Sequence, residues 1–581
     1  MSVPRIDSVV RQDCSGPGER HAPGRMRLRH GPMLLFTAAA VACMTALLAA
    51  SAWGGWELLS TALTDAAGEW SLHPAWRSVS QGYMLLQPLV NSLWLAVAVA
   101  CLATALGAAL AWLSVRSDLP GGSWLLLPVA LPHVLPGFQL ASAWVEIFSH
   151  NGLWQAAVGT APPVPAYGEL AIVIVTTLHL MLFPFLMAAS NLQANDPALE
   201  EAGRIAGLAP HRVFWRITVP LARPALFGGL LLVFAYVLEE FGIPSLLGTP
   251  NGFDTLTTRI YSLATTPPLD MSGASVLSVV LGLLAFLVLW GQLRLLAGQR
   301  METLAGKANR QNRQALGAWR WPLAAVMWAV LLAVALAPLV SLVLVSLLDS
   351  WGKGYGPQNW TLVRYAALLH SDELRRSLRN TLALAVGAAA VSVAVSVAIV
   401  YGAQRLRWRA SLLADRVSFI VFALPGLVTG MALILAFSGG WMPLYGTVWI
   451  LLLAYVLRFT GIGVRSVSAR LSQMAVELEA AGQVGGLGRL RVLARIVLPL
   501  LAPALAGSAM LVFINAVKEI SATSLLASQG SETLAFEAYV RFQGGDYTQG
   551  SAVSVVMIAL VLVVLGLGRW LGHANSEETR T

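Results

Sequence analysis

Long apolar stretches alternate with short polar segments along the chain, and this pattern predicts its architecture. A stretch of about 20 apolar residues suffices for a helix to cross ~30 Å of bilayer hydrocarbon. Spanning β-strands would alternate in character over segments of about ten residues, which this chain does not show. We therefore predict an all-α polytopic membrane protein. Its twelve predicted spans are 32–53, 90–115, 122–147, 168–190, 224–247, 273–296, 321–347, 379–403, 414–437, 443–466, 503–526 and 550–571.

Composition agrees with this prediction, and charge adds an orientation. Hydrophobic residues form 57% of the chain and charged residues only 12%, too few for the surface of a soluble protein of 581 residues. The net charge of +9 is concentrated in short segments beside spans, as the positive-inside rule describes. No nucleic-acid-binding motif accompanies it, so we expect the lipid bilayer and no nucleic acid as a partner. Both termini are expected in the cytoplasm.

Polar segments divide the chain into two units of six spans. A cytoplasmic tail predicted to be disordered comes first, and the first span has no cleavage site behind it and is interpreted as retained. Three scattered cysteines give no disulfide framework. The predicted organisation is a tail over 1–31, a first unit over 32–297, a cytoplasmic linker over 298–319, a second unit over 320–572 and a cytoplasmic tail over 573–581.

An internal repeat relates the two units. Residues 199–226 align without a gap to residues 478–505, a shift of 279, and 15 of the 28 pairs are identical. Upstream, where Asn91 matches Asn380, the shift is 289, so the first unit has about ten extra residues, which we place in the loop 148–167. Equivalent positions lie six spans apart. Since six is even, the repeats are parallel and related by an axis along the membrane normal.

The best-matched part of the repeat resembles a known signature. The first copy consists of Glu200, Glu201, Ala202, Gly203, Gly207, Ile217 and Pro220, and the second of Glu479, Ala481, Gly482, Gly486, Ile496 and Pro499. Their spacing resembles the E-A-A-x3-G-x9-I-x-L-P signature of permease subunits of binding-protein-dependent ABC importers. Ala480 replaces the central glutamate in the second copy. The resemblance covers nearly the whole chain after residue 30 and implies the type I importer (MetI-like) fold.

The resemblance implies a role for these segments. In the family, a short cytoplasmic helix docks in a groove of the ATPase and transmits its closure to the pore, which assigns coupling to 199–220 and 478–499. Acidic residues near the start of such a helix complement its dipole, and the signature glycines permit a bend. The signature prolines are expected to open the next helix. The alternative is an ordinary amphipathic helix at the lipid surface.

No catalytic chemistry is apparent in the residues. A G-x4-G-K-[ST] phosphate loop, a catalytic triad and metal-spaced His/Cys clusters do not occur, so we expect no enzyme and no cofactor or metal on this chain. The resemblance implies a homodimeric ABC ATPase that carries ATP and magnesium, a periplasmic solute-binding protein, and the bacterial inner membrane. A secondary transporter would favour inverted repeats or ion sites at the midplane; an ion channel and a membrane enzyme are further rivals.

Charged residues interrupt the fifth and eleventh spans at Glu239, Glu240, Lys518 and Glu519. A charge at the bilayer centre costs ~2.5–3.5 kcal/mol on insertion scales, so such groups face protein or water. We predict that these four residues line or gate the translocation path, with a solvated helix end as the alternative. Glu239 aligns with Lys518, which suggests an ion pair across the axis. His133 and His179 are isolated in apolar runs and are interpreted as core histidines.

Two further observations concern the path and its solute. Leu135-Pro136-Gly137 and the equivalent Leu424-Pro425-Gly426 predict broken helices, which transporters place beside a substrate path. The stretch that begins Glu239-Glu240-Phe241-Gly242-Ile243-Pro244 resembles the fused permeases of ferric-iron importers, which implies ferric iron as the solute. Related thiamine and 2-aminoethylphosphonate permeases share much of this pattern and remain alternatives.

Overall fold

A computed structural model describes residues 49–64, 69–196, 198–296, 314–439 and 443–578, and these are helical apart from loops and isolated bridges. The helices of the first unit are α1 (49–62), α2 (His73–Ser80), α3 (Leu86–Arg116), α4 (Leu126–Val134), α5 (Gly137–Phe148), α6 (Leu153–Val158), α7 (Glu169–Leu180), α8 (Leu182–Ala194), α9 (Ala198–Ile205), α10 (Pro210–Val213), α11 (Val219–Glu239), α12 (Gly242–Leu247), α13 (Leu256–Thr265) and α14 (Met271–Leu296).

The second unit repeats this order. Its helices are α15 (Arg320–Ser346), α16 (Val363–His370), α17 (Asp372–Gln404), α18 (Arg409–Phe422), α19 (Gly426–Phe437), α20 (Val448–Ser472), α21 (Glu477–Val484), α22 (Arg489–Val492), α23 (Leu498–Lys518), α24 (Thr523–Leu526), α25 (Leu534–Gln543) and α26 (Tyr547–Glu578).

The spans agree with the apolar pattern. Within the described ranges, eight helices are long and apolar enough to cross a membrane, and three bent pairs bring the number to 11. Each corresponds to one of the twelve predicted spans, which confirms the all-α, multi-span prediction. The remaining prediction, 32–53, lies mostly outside the described residues, as do the first tail, most of the linker and residues 579–581.

Three spans are bent, each at a break that proline chemistry explains. α4 and α5 meet at 94° and α18 and α19 at 111°, which confirms the predicted broken helices. Pro136 and Pro425 cap α5 and α19 in extended backbone, and proline disfavours helix in the residue before it. α7 and α8 meet at 40°. Pro184 in α8 explains this bend because its ring clashes with the carbonyl four residues earlier, at Leu180, where α7 ends.

The fifth span of each unit differs from its predicted bounds of 224–247 and 503–526. Continuous helix runs over Pro210–Glu239 and Arg489–Lys518, so each span begins and ends earlier. A π-helical turn, at Phe214–Thr218 and at Leu493–Val497, precedes the signature prolines. These prolines therefore do not open the spans. They occupy the first positions after a widened turn, where the missing N–H is tolerated.

The units interlock through their first spans. α15 packs against α4 and α5 of the first unit and against α26. The fully buried Glu146 of α5 accepts hydrogen bonds from Ser341 of α15, at 2.8 Å, and from Ser551 of α26. On the other side, Trp53 of α1 packs on Phe437 of α19 with ring centroids 5.5 Å apart. Each unit thus completes its packing with a helix from the other, and buried residues of both units form one shared hydrophobic core.

Candidate functional site

Two short helices connect the fourth and fifth spans at equivalent places, and we call α9 and α21 the coupling helices. Each ends in the same C-terminal motif. Gly207 and Gly486 both have φ of +84°, and the next amide, of Leu208 or Leu487, donates back to the glycine carbonyl five residues earlier at 3.0 Å. A side chain would strain this left-handed backbone. The matched geometry fixes the register of the repeat at 279.

The coupling helices pack directly on the π-helical turns. A Cβ atom built on Gly203 would lie 2.5 Å from Cδ1 of Ile217, and one built on Gly482 would lie 2.5 Å from Cδ1 of Ile496. A larger side chain at either position would have to displace this isoleucine methyl or the helix itself. The small residue and the isoleucine of the signature are therefore two sides of one contact, formed in both units.

The first glutamate of each copy is buried, and it binds an arginine. Glu200 is 8% exposed and pairs with Arg116, with Nε and Oε1 3.5 Å apart; Glu479 is 6% exposed and pairs with Arg405 at 2.7 Å. Both arginines lie at the end of the second span, at equivalent positions of the repeat. The sequence analysis used the charges beside spans only to orient the chain and gave neither arginine a role in a site. The shift of 289 could have identified them as a matched pair.

The opposite surface of each coupling helix is open. Ile205 is 88% exposed and the equivalent Val484 is 89% exposed, while Leu199 and Leu478 are about half exposed. The exposure of apolar side chains at matched positions of both helices makes this a candidate contact surface. Ala480, which departs from the signature, is also exposed. Its substitution therefore changes the open surface and leaves the buried carboxylate in place.

Arg458 of α20 lies at the centre of the predicted path residues. Nη2 of Arg458 donates to Glu239, which ends α11, and Nη1 donates to Glu519, which follows α23. The arginine is only 7% exposed. The ion pair therefore ties the first unit to the second inside the bundle. The suggested partner of Glu239, Lys518, was wrong: Arg458 is the cation that Glu239 contacts, and sequence reasoning missed it because its repeat equivalent is His179.

Lys518 lies beside two histidines. The rings of His133 and His179 are 4.8 Å apart. Nδ1 of His133 lies 3.1 Å from the carbonyl oxygen of His179, and Nδ1 of His179 lies 3.1 Å from that of Pro132. Since a carbonyl only accepts, each Nδ1 carries the proton. The two are hydrogen-bonded interior histidines, as interpreted, but they form a pair and are not isolated; Lys518 Nζ lies 3.5 Å from the carbonyl oxygen of His133.

Glu240 and Glu519 also hold the backbone at the ends of the fifth spans. Oε1 of Glu240 accepts from the amide of Ile243 at 3.2 Å, and Oε1 of Glu519 accepts from the amide of Ala522 at 2.7 Å. Each carboxylate thus accepts from a backbone amide at the start of the short helix, α12 or α24, that follows the break. These ends are buried or half-buried in protein, which disfavours a solvated helix end.

The broken helices leave room for these charges. A Cβ atom on Gly137 would lie 2.6 Å from Oε1 of Glu240, and one on Gly426 would lie 2.7 Å from Nη1 of Arg458. The two Leu-Pro-Gly breaks therefore converge on the charged residues from both units. We call Glu239, Glu240, Arg458, Lys518 and Glu519 the central charged cluster. Among the described residues, no group of three or more His, Cys, Asp or Glu could hold a metal ion.

Comparison with known proteins gives two matches to one family model. A binding-protein-dependent transport system inner membrane component matches residues 103–351 and again 362–575. The ferric transport system permease protein FbpB of Actinobacillus pleuropneumoniae is 29% identical over 84% of this chain and 72% of its own length. A putative ferric transport system permease protein, FbpB 1 of Haemophilus influenzae, is 28% identical over 81% and 74%. A putative 2-aminoethylphosphonate transport system permease protein, PhnV of Salmonella choleraesuis, is 25% identical over 41% of this chain and 90% of its own length.

Proposed function

The chain belongs to the binding-protein-dependent transport system inner membrane components, and we propose that its two units together form the whole translocation path of an ATP-driven importer. It is a multi-pass membrane permease with two copies of the family unit in one chain. Parallel repeats that share one core support a path along their common axis. The solute enters from a periplasmic binding protein on one side, and a separate ATPase supplies energy on the other.

The observation that carries this proposal is the pair of coupling helices. Each is held on its own fifth span by the Gly203–Ile217 or Gly482–Ile496 contact. Each also presents an exposed apolar side chain, Ile205 or Val484, which we call its tip. Two similar tips on parallel repeats suit two identical ATPase subunits, one helix to each. Arginines on the helices that follow are consistent with a cytoplasmic location for this face and for both termini. ATP and magnesium would bind to the ATPase.

The central charged cluster serves as the gate of this path. Glu239 comes from the first unit, Arg458 and Glu519 from the second, and their ion pairs join the units where the helices are broken. Separation of the units requires that these contacts break. The cluster therefore opposes opening of the path until the ATPase and the loaded binding protein act together.

Ferric iron is the solute that we propose. Relatives named for ferric transport match most of both units, whereas the aminoethylphosphonate relative matches a stretch the length of one unit. The cluster supports a cation: its three carboxylates outnumber Arg458 and Lys518, so its formal charge is negative. A phosphonate anion would meet repulsion there. Aminoethylphosphonate and thiamine remain the alternative solutes.

Reconstitution tests the function directly. Liposomes that contain the chain with its ATPase are given ferric-loaded binding protein, and iron accumulation is measured with and without internal ATP. We expect uptake only when ATP, ATPase and binding protein are all present. Accumulation by the chain alone without ATP would establish a secondary transporter instead. Uptake of thiamine or aminoethylphosphonate but not iron would overturn only the choice of solute.

Charged tips on the coupling helices should abolish docking. Ile205→Glu combined with Val484→Glu is expected to lower co-purification of the ATPase at least about tenfold, because two anchors lose their apolar contact with the groove. Val363→Glu is the matched control, since Val363 is 70% exposed in α16, which follows an odd number of predicted spans and lies on the opposite face. Equal ATPase recovery from both variants would contradict docking through these tips.

Neutral carboxamides in the cluster should impair transport but not assembly. Glu240→Gln with Glu519→Gln removes two negative charges yet keeps the Oε1 acceptors at the start of α12 and α24. We expect iron uptake to fall about tenfold with ATPase recovery unchanged. Glu373→Gln, whose side chain is 52% exposed at the start of α17, is the control. Normal uptake by the double variant would remove these two carboxylates from the path.

A further inference from the structure

The first coupling helix is tied to the second span of its unit through Arg116. This arginine is the last residue of α3 and only 5% exposed. Its Nε lies 3.5 Å from Glu200 of the coupling helix, and its Nη2 donates at 3.0 Å to the carbonyl of Asn195, in the turn before that helix. One guanidinium therefore holds three points: the end of α3, the turn and α9.

The second unit repeats this arrangement with different neighbours. Arg405 follows α17, its Nε donates to Glu479 at 2.7 Å, and its Nη2 donates to the carbonyl of Met474 at 2.9 Å. Arg405 is equivalent to Arg116, Glu479 to Glu200, and Met474 to Asn195 in the repeat. Both contacts of the arginine therefore occur twice in one chain, although the residue that supplies the carbonyl has changed from asparagine to methionine.

Buried arginine is suited to such a connection. Arginine carries a permanent positive charge, so its guanidinium needs an anion as a partner when it is buried. Separation of Arg405 from Glu479 would leave two unpaired charges in a largely buried environment, which is unfavourable. The coupling helix and the end of the second span are therefore expected to move together. In each unit, that span packs against the fourth and fifth spans.

We propose that Arg116 and Arg405 are positioning residues that transmit the movement of the coupling helices to the second spans. This rests on the proposed coupling to an ATPase. The fifth span is driven directly through the Gly–Ile contact, and the second span is driven through the arginine. Two spans of each unit thus respond to one docking event, and the ends of the helices that frame the path are displaced as one body.

The two connections are unequal. Arg405 donates to a third acceptor, the carbonyl of Leu471, at 3.2 Å, and Tyr401 donates to Glu479 at 3.1 Å. Arg116 has the longer ion pair. A residue of the linker reinforces it instead: Gln314 forms a bridge with Ser117, in which its amide donates to the Arg116 carbonyl at 2.7 Å. Loss of the Arg405 side chain should therefore have the larger effect.

The test measures coupling separately from assembly. Arg405→Gln and Arg116→Gln are compared in liposomes with the ATPase and ferric-loaded binding protein, and iron uptake per ATP hydrolysed is determined. We expect normal ATPase recovery, with the uptake ratio lowered at least about tenfold by the first variant and about threefold by the second. Arg405→Lys should recover part of the ratio, because it keeps the charge but not the fork of donors. Arg409→Gln, an exposed arginine at the start of α18 and outside the coupling segments, is the control.

A double variant separates the connection from general stability. Arg405→Gln with Glu479→Gln leaves no unpaired charge, so it should reach the membrane normally and show the same loss of coupling as Arg405→Gln alone. An uptake ratio within about twofold of the unaltered chain would overturn the proposal. So would losses that multiply in the double variant, or a double variant that fails to accumulate. If the unaltered chain itself does not bind or use the ATPase, the proposed function fails instead.

Discussion

Replacement of Arg458 by glutamine is expected to release ATP hydrolysis from its dependence on the binding protein and to lower iron uptake about a hundredfold. Arg458 holds Glu239 of one unit and Glu519 of the other; Arg458 and Glu519 are buried, and the Glu239 side chain is 23% exposed. Breaking a buried ion pair by removal of one partner costs about 3–5 kcal/mol, which is two or more orders of magnitude in an equilibrium. The closed arrangement of the units would lose that much relative to the open one. Hydrolysis without binding protein and uptake in liposomes are the measurements.

Three further variants identify the cause. His179→Gln alters the repeat-equivalent position without breaking an ion pair, and it should leave hydrolysis dependent on the binding protein. Arg458→Lys should be intermediate, because one ammonium cannot match the two-pronged contact of a guanidinium. Removing the partners as well, in Glu239→Gln/Arg458→Gln/Glu519→Gln, avoids unpaired charge but still frees the units. If that triple variant kept its hydrolysis dependent on binding protein, the cluster would not be a gate.

The spans could be predicted because bilayer thickness dictates them. Every described span coincides with an apolar stretch. Three of these spans are bent, and the Leu-Pro-Gly motifs predicted two of the three bends. The start of the fifth span could not be read in the same way. Pro220 and Pro499 suggested helix openings, but each follows a π-helical turn within one continuous helix. A π turn depends on hydrogen bonds one residue longer than usual, and no side-chain pattern announces them.

The candidate sites could be predicted where the repeat is symmetrical. Alignment of the units placed Glu200 opposite Glu479, and the structure gives both the same buried surroundings. Comparison of repeats cannot find a residue that only one unit has, and Arg458, opposite His179, is such a residue. The signal that could have found it is different: a cation near the middle of the apolar run 443–466 is costly unless it has a partner. The same rule applied to Glu146 would have pointed to its serine partners.

The two units are alike at their coupling helices and differ in the central charged cluster. The coupling helices share their C-terminal motif, their Gly–Ile contact and their Arg–Glu pair. In the central charged cluster, by contrast, Lys518 replaces the equivalent of Glu239. A symmetrical partner constrains both docking helices alike, whereas a fused chain passes one solute through one path and needs no symmetry there. The asymmetry therefore supports docking at one end and passage at the centre.

Larger side chains beneath the coupling helices should abolish transport. Gly203→Leu with Gly482→Leu places a Cβ 2.5 Å from an isoleucine methyl in each unit, before the rest of the side chain is counted. The isoleucine methyl can shift to accept a Cβ, but a whole leucine side chain is expected to push the surface helix away from its span, and overpacking of this kind typically costs about 1–3 kcal/mol per site. This movement would shift both tips away from the docking position and distort the ion pairs of Glu200 with Arg116 and of Glu479 with Arg405. We expect iron uptake to fall about a hundredfold and ATPase recovery to fall with it.

Compensation makes this prediction specific to the contact. Gly482→Leu with Ile496→Ala, and the same change in the first unit, return the lost space, so ATPase recovery should rise again in the fourfold variant. Gly507→Leu is the control for a large residue at a glycine with open surroundings, since nothing lies within 4 Å of its Cβ position. If the coupling helices could dock away from their spans, the double glycine variant would keep its ATPase and lose only uptake. If the double glycine variant keeps both ATPase recovery and iron uptake, the Gly–Ile contact does not transmit movement from the coupling helix to the fifth span.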